Sequence, residues 1–273
     1  MTVVAVASAK GRGVTTAAEL LVLLRPTGRR CVLVDADPSG GDWLLRPGIA
    51  PEPGLVSLAM AGRRRFEPAE AFRHVQVVGM VEVVVGPAAG HQAATAVSMM
   101  GDRLVTHLRT LTDEREGVAS TAVDAVLDCG RLAPGSPSLA LAAQADLVVL
   151  VSPATAGAVV HLAPLVELVR AAGGSPAVLL AAADGRGARY EAGEVATAVG
   201  AEVLGTMADD PGVVARLGEA PGLLDGLGRS RLARSMTPVV ERAWVLAAMA
   251  EPAAAVAPSA PAETYAPIGW EHR

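Results

Sequence analysis

The chain opens with a strand, a glycine-bearing loop and a helix, and this joint constrains its fold more than any other feature. Residues 3–7 form an apolar run typical of a buried strand, and residues 17–24 are good helix formers. The loop between them reads Ser8-Ala9-Lys10-Gly11-Arg12-Gly13-Val14-Thr15-Thr16. Unpaired N–H groups and the helix dipole favour an anion at such a joint, and glycines allow its close approach. The joint therefore predicts a phosphate-binding site.

A second predicted strand delivers carboxylates to the same edge of the sheet. It covers residues 31–34 and ends in Asp35-Ala36-Asp37-Pro38-Ser39-Gly40-Gly41-Asp42. Ligands of open parallel sheets bind at the carboxyl ends of the strands, so these side chains are expected beside the phosphate loop. Carboxylates next to phosphate indicate a magnesium ion.

The loop departs from the usual pattern G-x-x-x-x-G-K-[ST], in which the lysine reaches the terminal phosphates and the hydroxyl holds Mg²⁺. If Gly13 is the last glycine, Val14 takes the lysine position and Thr15 the hydroxyl position. Counting forward from Lys10 instead places Thr15 on the lysine position. Neither register supplies the usual lysine.

Lys10 is nevertheless the only lysine of the chain, although lysine and arginine together number 23. A strong arginine bias replaces lysines that serve only solvation or charge. A lysine retained inside the phosphate loop therefore favours a functional Lys10 over chance placement.

These residues resemble the ParA/MinD group of phosphate-loop ATPases. Members of that group carry the deviant loop K-G-G-x-G-K-[ST]-T and a following strand that ends in D-x-D-P-x-G. The matching residues are Lys10-Gly11, Gly13, Thr15-Thr16 and Asp35-Ala36-Asp37-Pro38-Ser39-Gly40. The loop is one residue short between Lys10 and Gly13, and the second lysine of the pattern is absent. The chain looks most like divergent actinobacterial MinD-like proteins related to the CpaE/TadZ branch of pilus and secretion assembly.

The resemblance implies roles for individual residues. Lys10 would cross a dimer interface to the partner's nucleotide, and Asp37 would orient the attacking water, so both are candidate catalytic residues. Thr15 and Asp128 would hold Mg²⁺, with Asp35 in support. The implied nucleotide-binding residues are Lys10, Gly11, Arg12, Gly13, Val14, Thr15 and Thr16. The implied cofactors are ATP and Mg²⁺, although the asparagine usual in the family's adenine site is missing after Ala182-Ala183-Asp184.

Asp128 follows an aliphatic run at residues 123–127 and resembles the second magnesium motif of these ATPases. Arg131 lies three residues later, where the family has a second switch segment. Contact with phosphate and simple solvent exposure are both open for this arginine.

The rest of the chain alternates strands and helices. Strands are predicted at residues 75–78, 81–85, 147–151, 177–182 and 203–205, and helices at 93–111, 155–171, 191–199, 210–217 and 230–250. This order predicts an α/β protein with a single doubly wound, mostly parallel sheet and helices on both faces, the phosphate-loop NTPase fold. Hydrophobic residues make up 51% of the chain and aromatic residues 3%, which favours an aliphatic core. Residues 1–250 are the predicted nucleotide-binding domain, and the Pro- and Ala-rich residues 251–273 are a predicted disordered tail.

No integral membrane segment or signal peptide is predicted, and two isolated cysteines indicate reduced thiols, so a cytoplasmic protein is expected. A formal net charge of −5 gives no general attraction to nucleic acid. Two arginine clusters lie at residues 63–65 and 229–242. They either contact DNA, lipid or a partner, or they are simply solvated.

Three functions fit these observations. The first is a ParA/MinD-like switch, in which Mg²⁺-ATP stabilises a homodimer that positions a pilus or secretion complex, a septal factor or DNA, with slow hydrolysis as the reset. The second is a pseudo-ATPase scaffold of the same fold, which dimerises without nucleotide. The third is a metabolic phosphate-loop ligase of the dethiobiotin-synthetase type, for which the sequence shows no acceptor site.

Overall fold

The computed structural model describes residues 1–26, 28–62, 71–101, 103–113, 121–182, 190–219 and 226–250. Three sequence-based predictions fall outside these residues: the arginine triplet at 63–65, residues 183 and 184 of the adenine loop, and the tail at 251–273.

The sheet that carries the site consists of eight strands. They are β1 (Val3–Ser8), β2 (Cys31–Asp35), β3 (Gln76–Val78), β4 (Val81–Val84), β7 (Asp124–Arg131), β8 (Leu147–Pro153), β9 (Pro176–Ala181) and β10 (Glu202–Met207). Two further short strands, β5 (Thr112–Asp113) and β6 (Thr121–Ala122), pair antiparallel as a separate ribbon.

The α-helices of the described residues lie between the strands along the chain or after the last of them. They are α1 (Val14–Leu23), α2 (Leu55–Ala61), α3 (Gly90–Met100), α4 (Arg103–Leu108), α5 (Pro137–Ala143), α6 (Ala156–Ala171), α7 (Ala192–Val199), α8 (Pro211–Glu219) and α9 (Arg231–Met249).

The strand order is β10-β9-β8-β1-β7-β2-β4-β3, and every pairing is parallel except that of β3 with β4. The predicted single, mostly parallel sheet is confirmed. Because β1 lies between β8 and β7, the loop after β1 is flanked by the loops that follow those two strands.

Helices cover both faces of the sheet, as predicted. One apolar cluster joins Val4 and Val6 of β1 to α1, α8 and α9, and the other joins Ala5 and Ala7 to α2 to α7. Aliphatic side chains supply nearly all of both clusters, because strands buried on two faces need apolar residues at consecutive positions. The Trp244 indole N–H of α9 donates to the Leu21 carbonyl of α1 at 3.1 Å and fixes α9 against the phosphate-loop helix.

The structure differs from the predicted elements around Gly101. A single helix was expected over residues 93–111, but α3 ends at Met100 and α4 begins at Arg103. Gly101 has φ +48°, a left-handed conformation that stops a helix. None of the helices in the described ranges has both the length and the apolar character needed to span a bilayer.

Candidate phosphate-binding site

The loop after β1 is held by hydrogen bonds to the hydroxyl group of Ser8. Ser8 Oγ accepts hydrogen bonds from the backbone N–H groups of Lys10 and Gly11, at 3.3 and 2.5 Å. Gly11 and Gly13 have φ of +77° and +74°, so glycine is needed at both positions. Gly13 is the N-cap of α1, and the unpaired N–H groups of the first turn of α1 follow it directly. The loop therefore has the geometry of an anion site at the start of a ten-residue helix.

Val14, at the position of the missing lysine, is built into the core. Only 2% of its surface is exposed, and it packs in the cluster formed by α1, α8 and α9. A methyl group on Gly13 would lie 3.1 Å from Met207 Cε. An apolar floor therefore lies where a phosphate-loop NTPase usually carries a cation.

Thr15 and Asp128, two of the three predicted metal-binding residues, lie next to each other. The Thr15 side chain lies close enough to the Asp128 carboxylate to lower its pKa, and the carboxylate accepts the Gly130 N–H at 3.1 Å. Burial raises the pKa of Asp128 to about 6, although these two interactions oppose the shift; Asp37 and Asp42 add smaller increases. A buried carboxylate among other acidic groups is an environment that a cation would stabilise.

Asp35 lies beside Asp128 in the sheet, since the two are paired in the parallel register of β2 and β7. Its carboxyl group is enclosed by two glycines: a Cβ on Gly41 would lie 1.9 Å from Asp35 Oδ2, and one on Gly86 would lie 3.1 Å from it. Burial and the Asp128 charge raise the pKa of Asp35 well above its usual value. Asp35 Oδ2 has no hydrogen-bond partner in the described part of the chain.

Asp37 is held at the surface of the same site. Its Oδ1 accepts the Ser39 N–H at 2.8 Å, and its carboxyl group rests on Gly130, where a Cβ would approach Asp37 Cγ to 2.0 Å. Partial burial raises the pKa of Asp37, the Ser39 hydrogen bonds oppose the increase, and Asp42 adds to it.

The donor set fits magnesium bound together with a phosphate rather than a site made of protein ligands alone. Within the described ranges, no group of three or more His, Cys, Asp or Glu side chains is placed to hold a metal ion. Mg²⁺ keeps several waters and takes one or two protein oxygens plus substrate phosphates. Thr15 and Asp128 would supply such oxygens, and the buried Asp35 carboxylate lies beside them.

A cleft of about 260 Å³ opens on the other side of the phosphate loop, between it and the start of α6. Lys10 and Arg12 line it from the loop, and Ser152 and His161 line it from β8 and α6. The site prediction contained neither Ser152 nor His161. Only the sheet order, which sets β8 beside β1, brings them to the loop, and no local motif marks them.

Of the predicted residues, Lys10 to Thr16 form the loop and Asp35, Asp37 and Asp128 converge beside it. Prediction missed Gly41, Gly86 and Gly130, which hold the carboxylates by their lack of a side chain. The glycine two residues after Asp128 is the weak signal that was present for the last of these.

A parallel sheet with a glycine loop at a helix N-terminus and acidic strand ends beside it defines the phosphate-loop NTPase class. Within that class, solved structures of ParA/MinD ATPases have the fold of this chain. MinD from Pyrococcus horikoshii OT3 with Mg-ADP aligns over 88% of this chain and 94% of its own, with 17% identity and a TM-score of 0.65. A McdA variant from Cyanothece in complex with ATP aligns over 90% and 96%, with 20% identity and a TM-score of 0.62.

The ParA family ATPase from Chlorobium tepidum TLS gives a similar result, with 14% identity, coverage of 88% and 97%, and a TM-score of 0.62. No protein-family model and no curated protein sequence matches the chain. The likeness is therefore one of fold across nearly the whole length of these proteins, at identities too low to transfer an activity.

Proposed function

We propose that this protein is a nucleotide-dependent switch of the ParA/MinD type. It binds ATP with Mg²⁺ at residues 10–16, forms a face-to-face homodimer in the bound state, and positions a cargo in the cytoplasm. The observation that carries the proposal is the contact of Thr15 with Asp128 at the start of α1, with Asp37 resting on Gly130 beside it. Support also comes from the solved MinD and McdA structures with the same fold, which contain Mg-ADP and ATP.

The chain's own groups have distinct tasks in this proposal. The N–H groups of the loop and of the first turn of α1 bind the phosphates, and Thr15 with Asp128 holds the metal. Bound Mg²⁺ neutralises charge on the phosphate oxygens. Asp37, held by the Ser39 N–H, accepts a hydrogen bond from the attacking water and orients it.

Lys10 contributes to the partner's site rather than to its own. It is exposed, and in the described residues its side chain forms no ion pair. An exposed cation on a short loop, next to a cleft rather than above the carboxylates, is suited to contact a second copy of the chain. The cargo would be a pilus or secretion complex, a septal factor or DNA.

One observation favours the scaffold alternative. Val14 removes the cation that normally helps to stabilise the transition state of phosphoryl transfer, so turnover is expected to be slow or absent. A protein that dimerises with its nucleotide site empty would be a scaffold. The ligase alternative has less support, because the cleft described above is lined from β8 and α6 and does not include Asp37.

Calorimetry with Mg²⁺-ATP on the wild type and Lys10→Ala, together with light scattering, tests the switch. We expect saturable binding and ATP-dependent dimerisation in the wild type. Lys10→Ala should stay monomeric with ATP present. Arg216→Ala, in the last turn of α8, removes an exposed cation away from the loop and should dimerise like the wild type.

Two results would reject the switch. No binding at millimolar ATP with a constant dimer in both proteins leaves the scaffold. If the wild type and both variants bind ATP without a change in molar mass by light scattering, nucleotide-dependent dimerisation is rejected.

A further inference from the structure

The two cations of the phosphate loop, Lys10 and Arg12, lie on the side of the site away from its carboxylates. Lys10 and Arg12 line the cleft on the β8 side of the loop, whereas Asp128 and Asp37 lie on the β7 side. Val14 is buried and apolar, so the first turn of α1 supplies no charge either. A triphosphate seated between α1 and Asp128 would meet acidic groups without a cation from the loop or from α1 of its own protomer.

A bulge in β7 places the cationic residue Arg131 on the carboxylate side of the phosphate site. Val6 of β1 pairs with Asp128, but Ser8 pairs with Arg131, so three steps along β7 match two along β1. The extra residue lies at Cys129 or Gly130, and Gly130 has φ +57°. Bulges of this kind re-aim the side chains that follow them.

The bulge changes the face from which Arg131 leaves the sheet. Side chains alternate along a strand, so Arg131 would point away from Asp128 without it. Because the bulge takes up one residue, Arg131 pairs with Ser8 and points to the same face of the sheet as Ser8. Ser8 is two residues after Val6, so this is also the face of Val6. Val6 packs in the α1 cluster, so this is the face on which α1 and Asp128 lie.

Arg131 is held close to the loop and has no competing contact. The Leu132 N–H donates to the Ser8 carbonyl at 3.0 Å, which fixes the chain directly after Arg131 against the first residue of the loop. The Arg131 side chain is exposed and makes no ion pair or hydrogen bond within the described ranges. It is therefore free to turn towards a ligand.

We infer that Arg131 replaces the missing phosphate-loop lysine and contacts the terminal phosphate of the bound nucleotide from the β7 side. The inference rests on the proposed nucleotide site. Arg131 would act as a binding group that recognises the γ-phosphate, because guanidinium presents several donors to phosphate oxygens in a fixed geometry.

Calorimetry with Mg²⁺-ATP and Mg²⁺-ADP tests the inference on the wild type, Arg131→Ala and Arg131→Lys. A lost hydrogen bond to a charged group weakens binding by about tenfold to a hundredfold. Arg131→Ala should lose this factor for ATP and less than about threefold for ADP, because the terminal phosphate carries the contact. Arg131→Lys, which keeps the charge but lacks the fixed geometry of the donors, should recover only part of the ATP affinity.

Arg216→Ala is the control, since Arg216 is an exposed arginine in the last turn of α8, away from the strand ends that carry the site. It should bind both nucleotides as the wild type does. Because Arg131 is exposed, its alanine variant should also keep the melting temperature of the wild type.

Equal ATP and ADP losses, or no loss, in Arg131→Ala would overturn the role of Arg131 while the wild type still binds nucleotide. A wild type that binds neither nucleotide at millimolar concentration overturns the proposed function and this inference together.

Discussion

Gly130 lies in close contact with the Asp37 carboxyl group, and its role is testable as a single residue. It has φ +57°, donates its N–H to Asp128 and lies directly under the carboxyl group of Asp37. A Cβ at this position would come within 2.0 to 2.4 Å of the Asp37 carboxyl atoms. Such an approach is far inside contact distance, so the carboxylate itself must move.

Gly130→Ala is therefore expected to separate hydrolysis from binding. We expect any ATP hydrolysis to fall by at least about tenfold, since Asp37 no longer orients water. Mg²⁺-ADP affinity should change by less than about threefold, because the loop and α1, which bind these phosphates, are not displaced. Steady-state phosphate release and calorimetry measure the two quantities.

Gly135→Ala provides the control for backbone strain. Gly135 has φ +77° with no atom near its would-be Cβ, so both variants should lose about 1–2 kcal/mol of stability but only Gly130→Ala should lose turnover. Equal turnover in the two variants would remove Gly130 and its contact with Asp37 from the catalytic argument.

At the scale of elements, a buried ion pair joins the phosphate-loop helix to the segment after the D-x-D motif. Arg46 Nη2 lies 2.8 Å from Glu19 Oε2 of α1, and the guanidinium stacks on the Trp43 ring at 3.6 Å from its centroid. Trp43 and Glu19 are fully buried. The pair therefore ties α1 to the 3₁₀ turn Trp43–Leu45, which follows Asp42.

This pair predicts a pH dependence of stability that Glu19→Gln should remove. Burial raises the pKa of Glu19 above its usual value near 4.5, although Arg46 opposes the shift. Above that pH the folded protein binds more protons at Glu19 than the unfolded chain does, so the free energy of unfolding falls as pH rises through this window. The wild-type value, measured by urea unfolding and taken relative to Glu19→Gln, should decrease from pH 4.5 towards neutral.

The difference in unfolding free energy between wild type and Glu19→Gln at each pH reports the titration of Glu19 alone, because both proteins contain the same buried aspartates. In an Arg46→Met background the opposing charge is gone, and the decrease should extend to higher pH. Parallel curves for wild type and Glu19→Gln would contradict the assignment.

The elements that carry the site were largely predictable from sequence, whereas its internal contacts were not. Apolar runs that end in Ser8, Asp35 and Asp128 are local patterns, and the structure has a strand at each. The bulge in β7 leaves no trace in such a run, because one extra residue does not change its apolar character. The ion pair of Glu19 with Arg46 could not be predicted either, since 26 residues lie between an otherwise ordinary glutamate and arginine.

Helix boundaries show the same limit. Helix α1 begins at Val14, three residues before the predicted run, because the left-handed Gly13 starts it. The break at Gly101 was missed, since helix-forming residues continue on both sides and a single glycine is tolerated in many helices.

For the whole molecule, the order β8-β1-β7-β2 is what turns separate motifs into one site. Strand–helix alternation predicted a parallel sheet but not which strands adjoin β1. That order sets the acidic ends of β7 and β2 on one side of the loop and the cleft of β8 on the other. It also makes any bound nucleotide a link between α1 and three strands of the core, so binding should stabilise the entire fold.

Removal of magnesium tests this coupling through the stability of the whole chain. A ligand at a hundred times its Kd stabilises the folded state by about 2.7 kcal/mol, which corresponds to roughly 5–10 °C in melting temperature for a domain of this size. We expect ATP with Mg²⁺ to raise the melting temperature by this amount and EDTA to remove most of the increase. Thr15→Val, which keeps the shape but lacks the hydroxyl, should lose the magnesium-dependent part, and Thr15→Ser should retain it. An increase that survives EDTA, or that Thr15→Val keeps in full, would show that nucleotide binds without the metal site formed by Thr15 and Asp128.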